Sequence, residues 1–120
     1  MSIRSYKDLE VWREGIDLAV KVYQYTDLFP TYERFGMCSQ MCRAAVSIPS
    51  NIAEGQCKSP KEFLHHVSHS RRSLQELITL NVIAERREYG SPALRDEVFA
   101  RGELEGRLLS GLRRWLKRSC

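Results

Sequence analysis

A chain of 120 residues, 42% hydrophobic and 28% charged, has room for one domain and enough apolar surface to bury a core, which excludes a disordered tail. Its longest apolar run is far short of the ~20 residues that cross a bilayer, and the opening MSIRSYKDLE contains no apolar secretion segment, so a cytoplasmic location is expected. Four cysteines without a CxxC pair are then expected as free thiols. The formal charge of +4 is unevenly spread: Arg107, Arg113, Arg114, Lys117 and Arg118 lie in an acid-free terminal stretch, which carries +5 against −1 for the remainder.

The predicted elements are four helices, at about 5–26, 37–55, 59–89 and 93–118, with no competing strand pattern. In the first, Leu9, Trp12, Ile16, Ala19 and Tyr23 recur at helical spacing, flanked by Val11, Gly15, Leu18 and Val22. That apolar face is wider than a bundle needs, and the surplus is expected to serve self-association. Asp27-Leu28-Phe29-Pro30 breaks the helix, and one turn across Tyr32–Phe35 precedes Gly36. The second helix carries Cys38, Met41, Ala45, Ile48 and Ile52 inward, with a kink expected at Pro49 and local polar compensation from Ser50 and Asn51. Ser59-Pro60-Lys61-Glu62 is a capping box with proline at the first helical position. From it Phe63, Val67, Ser70, Leu74, Leu77, Asn81 and Ala84 define the third helix, expected to be the longest at roughly 45 Å. Ser91-Pro92 restarts the chain, and Leu94, Val98, Leu104, Leu108, Leu112 and Trp115 are expected as the apolar side of the fourth. Short connections imply an all-α, up-down-up-down antiparallel four-helix bundle in a single domain, 1–120.

Several stretches together resemble the bacterial 23S rRNA intervening-sequence, or S23-like, proteins. They are Asp8-Leu9-Glu10-Val11-Trp12, Phe29-Pro30 with Glu33, Gln40 with Arg43-Ala44-Ala45, Ser47-Ile48-Pro49-Ser50-Asn51-Ile52-Ala53-Glu54-Gly55, and Ser73-Leu74 with Glu76-Leu77. The resemblance spans nearly the whole chain and implies a compact bundle assembled as a homopentamer, with an association with rRNA and a poorly defined biochemical role. A related fold serves as the nucleic-acid-binding accessory protein of diversity-generating retroelements. The chain departs from the family at His66 and His69, where apolar residues are usual, and at Arg72, where a small residue is usual.

Counting outward from a turn near Lys58 brings Arg43 level with Ser73 and Glu76, so an Arg43–Glu76 ion pair is expected, setting register more than stability. Asn51 is expected to compensate the backbone freed by Pro49, and Glu54 to pair with a base on a neighbouring helix or subunit. Arg43, Glu76, Asn51 and Glu54 thus read as a structural polar network rather than a catalytic one. His65, His66 and His69 invite a metal reading, since His65 and His69 share a face, and Cys38 and Cys42 form a second i,i+4 pair. Nine residues of axial offset, ~13 Å, separate the two pairs and exclude a Cys2His2 site. A two-His site supplemented by Cys57 stays open as the alternative, with satisfied or solvated histidines the default, so no metal centre and no cofactor are expected. No GxSxG elbow and no glycine-rich phosphate loop occurs, and no catalytic residue is assigned.

In an up-down-up-down bundle the end of the fourth helix meets the chain start and the turn between helices two and three. Arg113, Arg114, Lys117 and Arg118 would there join Arg4, Lys7, Lys58 and Lys61 as a nucleic-acid-binding cluster, with RNA preferred from the family resemblance. Bases at a helix C-terminus also complement its dipole, which is a purely structural account of the same residues. The expected function is therefore non-enzymatic nucleic-acid binding by an oligomer, with a pentameric scaffold for another protein as the alternative.

Overall fold

Ser59 has extended geometry (φ −61°, ψ 157°), and its Oγ accepts the Glu62 amide at 3.3 Å, the serine half of the expected capping box; the Glu62 carboxylate accepts the Ser59 hydroxyl at 3.0 Å in place of the Ser59 backbone amide. Helix starts and stops set by such local chemistry give four helices: α1 (Glu10–Thr26), α2 (Met37–Gln56), α3 (Pro60–Arg86) and α4 (Pro92–Ser119), with a short 3-10 turn at Thr31–Glu33. The structure is a computed structural model, and Tyr6 together with 9–119 are the residues it describes. Among them there is no strand, and no helix is long and apolar enough to cross a membrane.

Two boundaries and one relative length differ from expectation. The first helix runs from Glu10, after an extended Leu9 (φ −84°, ψ 126°); Ser5, where it was expected to start, lies outside the described residues. The third stops at Arg86, since Glu88 (φ 59°) and Gly90 (φ 68°) turn the chain through left-handed geometry that a helix cannot continue. With 28 residues against 27, α4 and not α3 is the longest.

Each helix packs on two neighbours: α1 on α2 and α4, and α3 on α2 and α4, while the backbones of the diagonal pairs stay apart. Short links make those neighbours antiparallel, giving a four-helix bundle of 45 × 23 × 20 Å. Along α3 every residue of the expected stripe from Phe63 to Ala84 is buried, and α2 buries Met41, Ala45, Ile48 and Ile52. In α1 the innermost residues are Leu18, Val22 and Tyr25, so Ile16, Val20 and Tyr23 form an outward row exposed at 36%, 49% and 50%.

The expected face of α4 is rotated. Val98, Gly102, Glu105, Leu109 and Leu116 are buried, whereas Leu104, Leu108 and Leu112 are half-buried and Trp115 is 39% exposed. The spacing 98, 102, 105, 109, 116 is a regular core stripe. A glutamate at its centre hid it from a reading that followed hydrophobicity alone.

Candidate nucleic-acid interface

Helix register brings the basic residues together. Asn81 Nδ2 donates to the Arg95 carbonyl at 3.3 Å, and a Cβ on Gly102 would meet Ile78 at 2.8 Å, so α3 and α4 run side by side in a level that places Leu116 beside Pro60. Arg113, Arg114, Lys117 and Arg118 therefore gather at the end of the bundle that holds Lys58 and Lys61. All but Arg113, which is half-buried, are exposed. Among the described residues none of the six lies within 4.0 Å of a carboxylate, so their charge faces solvent uncompensated by a direct ion pair. Arg4 and Lys7 lie outside the described residues. Trp115 is close enough in sequence and exposed enough to add an aromatic face to this end.

The neighbouring polar network is built differently from expectation. Ser47 Oγ and Ser73 Oγ are 2.9 Å apart, Ser70 Oγ donates to the Ile48 carbonyl at 2.8 Å, and Asn51 Oδ1 lies 3.0 Å from His66 Nδ1. These pairs confirm the axial level that put Arg43 opposite Glu76. The two side chains nevertheless form no ion pair, and both are exposed, because Arg43 projects over the groove between α1 and α2. Seryl hydroxyls take the seam that the ion pair was expected to fill.

Asn51 is buried, but its amide donates to the Ser47 carbonyl at 2.9 Å and to Ser47 Oγ at 3.1 Å. The carbonyl that Pro49 deprives of a donor is that of Ala45, so Asn51 does not compensate it; α2 simply runs through Pro49. Ser50 is exposed. Glu54 Oε2 lies 3.9 Å from His66 Nδ1, beyond hydrogen-bond range. His66 Nε2 is 3.3 Å from Lys58 Nζ. Because an ammonium only donates, Nε2 accepts from Lys58 and Nδ1 carries the proton given to Asn51.

His65 and His69 are exposed, and among the described residues no group of three His, Cys, Asp or Glu is placed to hold a metal ion. Cys38 and Cys42 face α1: Cys38 Sγ is 3.5 Å from the Thr26 carbonyl and Cys42 Sγ is 3.5 Å from Thr26 Oγ1. Cys38, Cys42 and Cys57 are free thiols, and burial pushes that of Cys38 up from its ordinary pKa.

Two features were missed. At the end opposite the cations, an open groove of 720 Å³ between α1 and α2 is lined by Tyr23, Arg34, Phe35, Cys38, Cys42 and Arg43, and Phe35 is 91% exposed. Sequence placed Phe35 in a turn without indicating that its ring finds no pocket. The second is Glu105, wholly buried, with neither carboxyl oxygen hydrogen-bonded. Its place on the 3.6-residue stripe between Gly102 and Leu109 was the signal that could have found it.

The fold is similar to that of a protein of unknown function from the S23 ribosomal protein family of Bacteroides thetaiotaomicron, with a TM-score of 0.75 at 20% identity over 86% of this chain and 97% of that one. No curated protein matches the chain. The model of the 23S rRNA-intervening sequence protein family matches residues 7–111, nearly the whole helical bundle, and the chain belongs to that family.

Proposed function

We propose that the protein is a non-enzymatic, cytoplasmic nucleic-acid-binding oligomer that holds a phosphate backbone on the cationic end of its bundle. The observation that carries this reading is the convergence of Lys58, Lys61, Arg113, Arg114, Lys117 and Arg118 at one end, with no carboxylate partner among the described residues. Cations already paired with a carboxylate release fewer counterions on binding phosphate; among the described residues none of the six is so paired, and only Lys58 has a side-chain partner, His66. The family's rRNA association favours RNA, and the contacts are with backbone rather than base edges, since no groove-reading element accompanies the charges.

Self-association is supported by the outward row of Ile16, Val20 and Tyr23 on α1. The pentameric number rests on the family resemblance alone. A ring would repeat the cationic end five times around one axis and so present a polyanion with a continuous positive rim. Light scattering at micromolar concentration is expected to give a multiple of 13.9 kDa; the monomer mass would overturn the assembly.

The binding experiment is a salt titration of affinity for a generic single-stranded RNA. Arg113, Arg114, Lys117 and Arg118 are replaced together by glutamine, and the slope of log affinity against log salt is expected to become shallower by about 0.7 for each phosphate that is no longer neutralised. Affinity should fall alike for unrelated sequences. An unchanged slope in a still-folded variant would reduce the cluster to a solvated helix end. The reading would then pass to a protein-binding scaffold, for which the groove beneath Phe35 is the specific feature.

A further inference from the structure

Glu105 stands where the core meets three helices. Its side chain has no solvent exposure, and both oxygens lack a hydrogen-bond partner. Across from it, α1 supplies Gly15: a Cβ there would come within 2.8 Å of Glu105 Oε2 and 3.3 Å of the Pro49 Cβ, so a larger residue would displace the carboxyl from its place between α1 and α2. A well-packed hydrophobic residue in this position would cost nothing in desolvation. A carboxylate would cost several kcal/mol unless paired.

The charges around it are arranged on one side. From α1 come Glu14 and Lys21, half-buried, and Asp17, exposed; from α4 itself come Glu97 and Arg101, also half-buried. On α2 the charged residues are Arg43 and Glu54, both exposed, and among the ionisable residues of α3 only His66 is even half-buried. Arg101 is the centre of the cluster. Its guanidinium lies 3.3 Å from Glu97, 3.7 Å from Glu14 and 3.9 Å from Asp17, while Lys21 closes the same seam on Glu97 at 3.4 Å. Arg101 also precedes Glu105 by one turn of α4, the spacing at which helical side chains meet.

We propose that the α1–α4 seam is a proton-gated latch, closed while Glu105 is an uncharged acid and opened when it loses its proton to solvent, its carboxylate then turning to Arg101 and water entering between α1 and α4. The turn has a mechanical consequence because Arg101 is the group that ties α4 to Glu14 and Asp17 of α1. A fourth carboxylate competing for that guanidinium weakens the ties from α1, and the helix released is the one that bears Ile16, Val20 and Tyr23 on its outer face. Burial first, and the negative charge of Glu14 second, push the Glu105 carboxyl up to about 8. In an open seam it would return toward the ordinary value near 4.3.

The sign follows from proton linkage. The closed state holds the proton more tightly than the open one, so opening becomes easier as pH rises between the two values, by about tenfold per pH unit, and levels off above the closed-state value. Amide hydrogen exchange, corrected for its intrinsic pH dependence, reads this directly at pH 6, 7, 8 and 9. In the wild-type protein protection along α1 is expected to fall by about tenfold per unit to pH 8 and then flatten, while the seam between α2 and α3 keeps its protection. The variant Glu105→Gln should abolish the pH dependence. Glu105→Leu, which fills the core without a polar atom, serves where the glutamine variant folds poorly, and it too should be flat with pH. Equal loss of protection in all four helices, or a pH dependence that persists in either variant, would overturn the latch.

Discussion

The two ends of the bundle use the same kinds of bond in opposite surroundings. At the end where α1 leads into α2 and α3 into α4, Tyr25 is wholly buried and its hydroxyl donates to the Tyr89 carbonyl at 3.2 Å. The Tyr25 and Phe29 rings meet edge to face with centroids 4.8 Å apart, and Phe29 and Tyr89 follow at 5.3 Å. The Tyr89 hydroxyl donates to Glu33 Oε2 at 3.0 Å and receives Arg87 Nε at 3.3 Å, which ties the α1–α2 link to the α3–α4 link. Burial also pushes the Tyr25 hydroxyl above its usual pKa. At the other end, Lys58, Ser59 and Lys61 are all exposed to water. One end is closed by aromatic rings and the other is left wet and charged. Bonds shielded from water hold structure, while charges left in water remain available to a ligand.

The largest effect that tests this contrast is expected at Gly90. It adopts φ 68°, and a Cβ there would lie 2.8 Å from Tyr25 Cε1 and 3.1 Å from Phe29 Cε1. Gly90→Ala therefore adds left-handed backbone strain of about 1 to 2 kcal/mol to overpacking of about 1 to 3 kcal/mol. A loss of about 3 kcal/mol is expected as a lower urea midpoint with an unchanged slope. A loss under about 1 kcal/mol would mean that the rings separate easily and that this end is no firmer than the other.

How far the sequence disclosed each region follows the same division. The four helices, the Ser59 cap and the whole inward stripe of α3 were legible, because each rests on local chemistry or on a helical period. Six of the eight cations assigned to one end are found there, since connectivity alone decides which helix ends share a pole; Arg4 and Lys7 fall outside the described residues. What escaped is rotational. The level of Arg43 against Glu76 was right, but which way a side chain points around the helix axis depends on packing, and the guanidinium lies over the α1–α2 groove. The face of α4 was misassigned for the same reason, with an acid concealing the centre of its core stripe. The aromatic closure was equally hidden, because Tyr25 and Tyr89 are 64 residues apart and meet only when four helices have packed.

The smallest expected effect lies at the open end and completes the comparison. Ser59 caps α3 through an Oγ that accepts the Glu62 amide at 3.3 Å and donates to the Glu62 carboxylate at 3.0 Å, and both residues are exposed. In Ser59→Ala the amide loses its acceptor, but water reaches it, so the cost is the low end of the capping range, about 0.5 kcal/mol. Pro60 still fixes the first helical turn without needing a donor's partner. The same urea titration should therefore show a midpoint close to that of the wild type. Hydrogen exchange should find faster amides confined to the first turn of α3. A loss as large as that of Gly90→Ala would show that the cap is shielded in the assembled protein. The cationic end would then be covered by another subunit, and Lys58 and Lys61 beside the cap could not be meeting RNA.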